Sequence, residues 1–295
     1  MNVAAAKIIA EKISIEAAKP LVGGIVRVDK ADLLDDDVIE TILAALEDRG
    51  VLVFPEIGLS DHEQLALTDR LGPRVNFTKS IPGGSDGSDV YKVTLDADVN
   101  NQPEYVQGTF FWHIDGVTMD IPLPKATLLT ARKLSDTGGQ TEFANLYAAY
   151  EALPDTEKDE IEGLRVVHNM AASMRPMFDI NESAGSVVPA AACLMDHPVV
   201  WTHKSGRKSL IVGMHADQVI GQPLPDGRAR LVRLMEWAGQ QQFTYRHHWK
   251  AGDLVLWDNH GLMHRVIPYD AKSGRTMHRT TIDGEGEKPG RVWAG

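Results

Sequence analysis

Apolar and polar positions follow two different periods along this chain, and the difference predicts both helices and strands. Between residues 36 and 49, apolar side chains recur at the spacing of one helix face, and Gly50 follows where helices commonly end. Residues 60–63, Ser-Asp-His-Glu, have the form of a capping box that opens a second helix, which continues to Leu71. The apolar run 51–54 between them predicts a short strand. The first quarter of the chain is therefore expected to alternate strands and helices.

Most of the remaining pattern predicts strands. Short apolar runs mark them at residues 90–95, 209–212, 243–249, 254–257, 266–268 and 276–282. Helical spacing returns at residues 145–153, 156–164 and 228–241. Many strands with helices packed outside predict an α+β fold with a double-stranded β-helix core, the jelly-roll or cupin-like arrangement. No repeat or clear linker divides the chain, so one domain over residues 1–295 is expected.

One long stretch, residues 169–196, follows neither period. It mixes Met, Ala, Gly, Ser and Pro without a pattern. A segment of this length without regular structure in a compact domain is usually functional or mobile, which makes it a candidate lid. An irregular packed loop is the alternative that the sequence leaves open.

Composition and charge narrow the function classes. The 295 residues are 43% hydrophobic and carry a net charge of −11, whereas nucleic acids and anionic membranes are bound by clustered Lys and Arg. Neither partner is expected. The single cysteine, Cys193, cannot form an internal disulfide, and no apolar run has the length of a signal peptide core or a membrane span. A cytoplasmic protein is expected, and a homo-oligomer stays open.

Two His-x-Asp sequences are candidates for a metal site. Two imidazoles and one carboxylate on one face of Fe(II) leave three adjacent positions open for a chelating co-substrate and dioxygen. His113 and Asp115 end the run FFWHID, where strand alternation would direct both to one side, although a solvated strand end is the alternative. His215 and Asp217 follow a strand-like run without a matching partner segment, so this second pair is interpreted as a chance occurrence.

A possible third ligand and a carboxylate-binding pair lie elsewhere in the chain. His264 follows a buried-looking strand and the turn at 257–259. Arg275 lies across the next turn, and its planar guanidinium can hold a carboxylate in two parallel hydrogen bonds. Thr141, in the turn Gly-Gly-Gln-Thr, could add a hydroxyl donor. From the residues alone, His264 could equally be a core histidine, and Arg275 could be a surface charge.

Five motifs together resemble the taurine dioxygenase and 2,4-dichlorophenoxyacetate dioxygenase family of Fe(II)/2-oxoglutarate enzymes. They occur in the family's order and cover most of the chain: WHID at 112–115, SDTGGQT at 135–141 followed by LYAAYEALP, HPVVWTHKSGRKSLIV at 197–212, WDNHGLMHRVIPYD at 257–270 and RTMHRTTIDGE at 275–285. The resemblance implies that His113, Asp115 and His264 bind iron and form the catalytic centre. It also implies that Thr141 and Arg275 hold the distal carboxylate of 2-oxoglutarate.

The same resemblance places Arg279 opposite the anionic group of the substrate. Phe77 stands where taurine dioxygenase presents an imidazole to the sulfonate, which argues against taurine. Phe77, Phe110 and Phe111 could line a larger apolar pocket, and the alternative is that they are core residues, as aromatic side chains at such positions usually are. His260 stands where relatives commonly have arginine. This departure affects contacts around the site more than it affects iron binding.

The expected activity is hydroxylation of a C–H bond, coupled to decarboxylation of 2-oxoglutarate to succinate with O2 as oxidant. The expected substrate is a small-to-medium organic anion (a carboxylate, sulfonate or sulfate ester) with an apolar or aromatic body, and cleavage of a C–O or C–S bond can follow. Asp115 favours oxygenation over halogenation. The alternative is a cupin-like metal-binding protein or a metallohydrolase using the same site. Arg275 and Thr141 distinguish these classes, because water activation needs no clamp for a dicarboxylate.

Overall fold

A computed structural model describes residues 12–75, 90–99, 103–177 and 193–295. The strands are β1 (Ile13–Ala17), β2 (Gly24–Val28), β3 (Val51–Phe54), β4 (Tyr91–Thr94), β5 (Ala126–Lys133), β6 (Thr141–Asn145), β7 (Arg165–His168), β8 (Met195–Pro198), β9 (Val200–Thr202), β10 (Lys208–Leu210), β11 (Ala216–Val219), β12 (Thr244–His247), β13 (Leu254–Asp258), β14 (Leu262–Val266), β15 (Thr276–Ile282) and β16 (Arg291–Val292). The helices are α1 (Asp36–Arg49), α2 (Asp61–Leu71), α3 (Pro103–Gln107), α4 (Leu146–Glu151), α5 (Asp155–Ile161), α6 (Met170–Met174) and α7 (Leu224–Ala238).

Antiparallel sheets form the centre of the fold. The largest has the order β1-β2-β3-β13-β5-β15-β4 and is antiparallel apart from its β2–β3 pair. Three strands, β12-β6-β14, form a second sheet, and β11-β7-β8-β16 form a third. The order is not sequential, because β13 and β15 return from the end of the chain to lie beside β3 and β5. The α+β architecture with packed antiparallel sheets confirms the predicted fold class.

The two faces of the large sheet are both apolar, and alternation along each strand separates them. Leu128 and Leu256 belong to a cluster that packs against α1 and α2. Leu129 and Trp257 belong to the opposite cluster, which includes Phe143 of the three-stranded sheet. Successive strand residues point to opposite faces, so β5 and β13 each serve both clusters. The inner face, towards the three-stranded sheet, is the one that reaches the candidate site.

The helix ends follow the sequence signals closely. Helix α1 ends at Gly50, whose positive φ of 73° suits glycine and whose N–H donates to the carbonyl of Leu46. At the start of α2, Ser60 and Glu63 form both hydrogen bonds of the capping box. Helix α7 begins at Leu224, earlier than predicted, because Pro223 and a first turn of low apolar content hide its start.

One predicted strand is wrong. Residues 266–268 do not extend as a strand, and the strand lies earlier, in β14. Pro268 has no N–H to contribute to a ladder, which ends pairing there. The polar residues His264 and Arg265 interrupt the apolar run and so conceal β14 in the sequence.

The candidate lid at residues 169–196 is only partly described. Its beginning is regular, contrary to prediction: Asn169 accepts a hydrogen bond from the N–H of Ala171 and caps α6, and a 3-10 turn at Arg175–Met177 follows. Residues 178–192 lie outside the described residues, so a lid stays a prediction. No helix in the described ranges has the length and apolar character needed to cross a membrane.

Buried polar contacts join α2 to the large sheet. Gln64 is fully buried, and its amide nitrogen donates to the carbonyl of His278 at 3.0 Å. Its amide oxygen accepts from the hydroxyl of Thr130 at 2.7 Å. The hydroxyls of Thr68 and Thr280 are 2.7 Å apart beside them. These contacts set the position of α2 against β5 and β15.

Replacing Gln64 by Leu is expected to lower the free energy of unfolding by about 1–3 kcal/mol, because the His278 carbonyl and the Thr130 hydroxyl would lose their buried partner. Urea denaturation measures this loss. His62→Ala, two residues earlier on the exposed side of the same helix, serves as the control and should change stability by less than about 0.5 kcal/mol. Equal losses in the two variants would contradict the prediction.

Candidate metal centre

A two-way backbone contact brings His113 beside His264. The N–H of His113 donates to the carbonyl of His264 at 3.0 Å, and the N–H of His264 donates to the carbonyl of His113 at 2.9 Å. The predicted strand through FFWHID is wrong: a 3-10 turn at Gly108–Phe110 precedes this isolated bridge. The bridge brings the two imidazoles side by side, with ring centroids 4.2 Å apart.

Asp115 completes a group of three donor side chains. Its Oδ1 lies 3.9 Å from Nε2 of His113 and 4.0 Å from Nε2 of His264. One donor atom from each residue lies within 4.8 Å of the others, which brings all three within reach of a single ion. The carboxylate is 8% exposed and His264 is 6% exposed. The three side chains named by the sequence therefore do converge.

The charges of these groups suit a metal cation. Burial lowers the pKa of His113, and burial together with the neighbouring His113 lowers the pKa of His264 to about 3. Burial would raise the pKa of Asp115, but the Arg279 guanidinium at 3.8 Å and the hydrogen bond from Thr127 lower it overall. Neutral imidazoles and an ionised carboxylate are the protonation states in which these groups bind metal. The donor set therefore fits a divalent ion.

Neighbouring groups orient both imidazoles. Nδ1 of His113 lies 2.8 Å from the carbonyl of Phe111, a contact that places the proton on Nδ1 and leaves Nε2 as the free donor atom. The ring of His264 packs against Trp257 at 4.7 Å and stacks on Phe143 at 6.2 Å between centroids. Both rings thus present Nε2 towards Asp115.

Arg275 is buried without a carboxylate partner in the described part of the chain. It is 2% exposed, and one of its terminal nitrogens donates to the carbonyl of Gly139 at 3.1 Å. Its Nε has no hydrogen-bond partner among the described residues, and its Cζ lies 4.8 Å from the ring centre of Tyr269. Burial lowers its pKa. A buried guanidinium in this state fits a bound carboxylate, which would supply the missing acceptor.

Thr141 lies on the same sheet face as His264. In the pairing of β6 with β14, Thr141 is opposite Val266 and Phe143 is opposite His264. Thr141 and Phe143 are two residues apart on β6, so they share a sheet face and are separated by about 7 Å. Because His264 is the direct neighbour of Phe143 on β14, the Thr141 hydroxyl lies one pleat along the sheet from the imidazole. The indole N–H of Trp249 donates to this hydroxyl at 3.0 Å, which leaves the hydroxyl proton available.

A cavity opens beside the three donors. Its lining includes His113, Asp115, Tyr105, Ser173, Arg279 and the thioethers of Met119, Met170 and Met174. Arg279, on β15, lies against both Asp115 and the ring of Tyr91, which is 4.8 Å from its Cζ. Tyr105 on the short helix α3 and Ser173 on α6 were not predicted, and neither stands in a sequence pattern that marks it.

The predicted aromatic lining is placed differently. Phe110 and Phe111 are not among the described residues that line this cavity. Phe110 packs edge-on against Tyr269 at 5.8 Å, on the side of Arg275, because the 3-10 turn replaces the expected strand and rotates its side chain. Phe111 contributes its carbonyl to His113. Phe77 lies outside the described residues, so its role stays a prediction.

The second His-x-Asp sequence lies outside the group of three donors. Nε2 of His215 accepts a hydrogen bond from the N–H of Ile114 at 3.1 Å, and its Nδ1 lies 2.7 Å from Nδ1 of His168. Asp217 pairs instead with Arg175 at 2.7 Å. His215 thus supports the backbone between the two upstream donors. His260 packs against Trp201 and reaches the carbonyl of Leu123 rather than the donors.

Fold and site together define a cupin-like protein with a two-histidine, one-carboxylate centre. The family model described as "Taurine catabolism dioxygenase TauD, TfdA family" matches residues 14–281. The α-ketoglutarate-dependent 2,4-dichlorophenoxyacetate dioxygenase of Cupriavidus pinatubonensis is 35% identical over 88% of this chain and 94% of its own length. The (S)-phenoxypropionate/α-ketoglutarate-dioxygenase of Sphingobium herbicidovorans is 30% identical over 89% of this chain and 92% of its own.

A solved structure is similar as well. AAD-2 in complex with Mn(II) and N-oxalylglycine superposes with a TM-score of 0.76 at 32% identity, covering 92% of this chain and 98% of AAD-2. The chain therefore belongs to the taurine catabolism dioxygenase TauD, TfdA family. The predictions of an oxidoreductase and of an α-ketoglutarate-dependent dioxygenase are confirmed.

The contact between Gly139 and Arg275 can be tested by comparing Gly139 with Gly163, a glycine in an unrelated turn. Gly139 has a φ of 76°, and a Cβ on it would lie 2.9 Å from Nε of Arg275. Gly163 has nearly the same φ, 74°, with nothing within 4 Å. Gly163→Ala should cost about 1–2 kcal/mol of unfolding free energy from left-handed backbone strain alone. Gly139→Ala should cost more, because it also displaces Arg275; equal losses in urea denaturation would rule out a tight contact.

Proposed function

We propose that this protein uses Fe(II) and 2-oxoglutarate to hydroxylate a C–H bond of a small-to-medium organic anion with an apolar or aromatic body. The observation that carries the proposal is the convergence of His113, Asp115 and His264 beside a cavity that Arg279 also lines. Carboxylate and imidazole donors in this ratio are typical of non-haem Fe(II) oxygenases. Binding of Mn(II) by the similar AAD-2 supports a divalent metal here.

The three donor side chains would hold Fe(II), and the bound ion with 2-oxoglutarate would supply the activation of O2. The protein keeps the two imidazoles neutral and the carboxylate charged through burial and through Arg279. The low exposure of Asp115 and His264 limits the access of water to the reaction. The role of the chain is thus to position the reactants and exclude water.

Arg275 and Thr141 would bind the distal carboxylate of 2-oxoglutarate. Arg275 offers a buried nitrogen without an acceptor in the described ranges, and Thr141 offers a hydroxyl proton one pleat from His264. This clamp argues against the alternative of a metallohydrolase or a simple metal-binding cupin, since neither needs a buried site for a dicarboxylate. Burying Arg275 without any ligand would be costly.

Arg279 would bind the anionic group of the substrate, while the cavity methionines accommodate its apolar body. Unbranched thioethers adapt to different apolar shapes, and Met119, Met170 and Met174 all line the cavity. The names of the two related dioxygenases describe aryl ether carboxylates, which combine an anion with an aromatic body. We propose the same substrate class for this chain, with sulfonates and sulfate esters as further members.

The sheets share continuous apolar clusters from Ile13 to Ile282, which supports one domain over the whole chain as a proposal. A cytoplasmic location and the oligomeric state stay predictions.

Anaerobic titration of the Fe(II) protein with 2-oxoglutarate tests the cofactor assignment. The wild type should develop a metal-to-ligand charge-transfer band, and His264→Ala should abolish it. Arg275→Leu should keep the band but require roughly 10- to 150-fold more 2-oxoglutarate, because a charged hydrogen-bond partner worth about 1.5–3 kcal/mol is lost. Arg132→Leu is the control, since that guanidinium pairs with Asp61 instead. A normal band in His264→Ala would exclude His264 as a ligand.

A panel of candidate substrates, read as succinate release, tests the substrate class. Phenoxyacetate, 2-phenoxypropionate, a medium-chain alkyl sulfate and taurine sample anions with different bodies. Aryloxy carboxylates should stimulate succinate release above the substrate-free rate, and taurine should not. In Arg279→Leu the KM for the best substrate should rise roughly 10- to 150-fold, while Arg132→Leu leaves it unchanged. Stimulation by taurine alone would contradict the proposed class.

A further inference from the structure

The two oxygens of Asp115 have different surroundings. Oδ1 faces Nε2 of His113, Nε2 of His264 and the guanidinium of Arg279, at 3.9, 4.0 and 3.8 Å. Oδ2 points the other way and accepts a hydrogen bond from the hydroxyl of Thr127 at 3.1 Å. One oxygen therefore lies towards the ion position and the other lies towards the protein.

Two further buried residues continue the contact behind Thr127. The amide nitrogen of Asn259 donates to the Thr127 hydroxyl at 2.9 Å. The indole N–H of Trp257 donates to the amide oxygen of Asn259 at 2.8 Å. Thr127 and Asn259 have no exposed surface, and Trp257 is 2% exposed. We call Trp257, Asn259 and Thr127 the relay.

The direction of every hydrogen bond in the relay follows from its first member. An indole nitrogen can only donate, so Asn259 must present its oxygen to Trp257 and its NH2 group to Thr127. The Thr127 hydroxyl accepts that bond, and its own proton is then directed to Oδ2 of Asp115. The relay thus always offers Asp115 a donor, whatever the occupancy of the metal site.

The fold explains how the relay is positioned behind Asp115, although Asp115 is not on a strand. Trp257 on β13 is directly opposite Thr127 on β5, and both strands lie in the middle of the large sheet. Asn259 follows Trp257 by two residues and therefore faces the same side. Backbone pairing to β14 holds His113 but does not reach Asp115. The side chain of Asp115 needs an anchor of its own.

Trp257 also contacts His264, another of the three candidate metal ligands. Its ring lies 4.7 Å from that of His264, so one indole supports the imidazole through its face and the carboxylate through its N–H. Such outer contacts commonly orient metal ligands, and their loss weakens metal binding about 10- to 100-fold.

We propose that Thr127, Asn259 and Trp257 are positioning residues that restrict Asp115 to a single metal-binding oxygen, Oδ1. The inference rests on the proposed role of Asp115 as a ligand. A carboxylate with two free oxygens can occupy two positions on an ion, whereas one with Oδ2 held by Thr127 occupies one. The relay thereby keeps a further position open for the co-substrate and dioxygen.

Thr127→Val tests the relay, because it removes the hydroxyl and keeps the shape of the side chain. Mn(II) binding, followed by the loss of the free-ion EPR signal, should weaken roughly 10- to 100-fold. The EPR spectrum of the bound ion should also change, since Oδ2 becomes free to bind. Thr127→Ser should restore wild-type affinity and spectrum. Thr281→Val is the matched control, because Thr281 is the buried threonine directly opposite Thr127 on β15, and its variant should bind Mn(II) normally.

Asn259→Asp provides a second test that does not alter Thr127. The new carboxylate would attract the Thr127 proton away from Asp115, and Mn(II) binding should weaken as in Thr127→Val. Wild-type affinity and spectrum in both Thr127→Val and Asn259→Asp would overturn the relay. Asp115→Ala separates this failure from that of the proposed function: if it abolishes Mn(II) binding while both relay variants bind normally, Asp115 is a ligand without the relay. Normal binding in Asp115→Ala would overturn both proposals.

Discussion

The pair of backbone hydrogen bonds between His113 and His264 is the constraint on which the site depends. His264 is held on β14 by pairing with β6, whereas the segment before Asp115 has no strand pairing beyond this bridge in the described structure, so the exchange of two N–H and two carbonyl groups places His113 beside His264. Asp115 then follows two residues later, and the carbonyl of Phe111 two residues earlier orients the His113 ring. Distant parts of the chain meet at one pleat of β14.

Burial and neighbouring charges set the protonation states of the three candidate metal ligands. Burial holds the imidazoles neutral, while the Arg279 guanidinium keeps Asp115 ionised against the opposing effect of burial. One short segment supplies both cations of the site, since Arg275 directly precedes β15 and Arg279 lies within it. The neutral imidazoles and the anionic carboxylate that could bind a metal thus lie near two guanidiniums. Arg275 has no carboxylate partner in the described ranges, and Arg279 lines the cavity. Such a site favours two organic anions together with a metal.

Local signals in the sequence were sufficient for most of the regular structure. The end of α1 at Gly50 and the capping box at Ser60 depend on neighbouring residues only, so both could be predicted. Strand β14 was missed because His264 and Arg265 place polar groups where a buried strand usually has apolar ones. The start of α6 at Asn169 was missed for another reason: a five-residue helix is too short to show a period.

The sequence by itself determined the fold class and the family, because several motifs in a fixed order carry that information, and the family resemblance pointed to the three candidate metal ligands that the structure brings together. It could not determine how Phe110 turns towards Tyr269, that Tyr105 enters the cavity, or that Trp257, Asn259 and Thr127 connect behind Asp115. These contacts join residues that are far apart in the chain, and only strand register and sheet order bring them together. A side chain's neighbours across a sheet are set by pairing between strands, which no local pattern records.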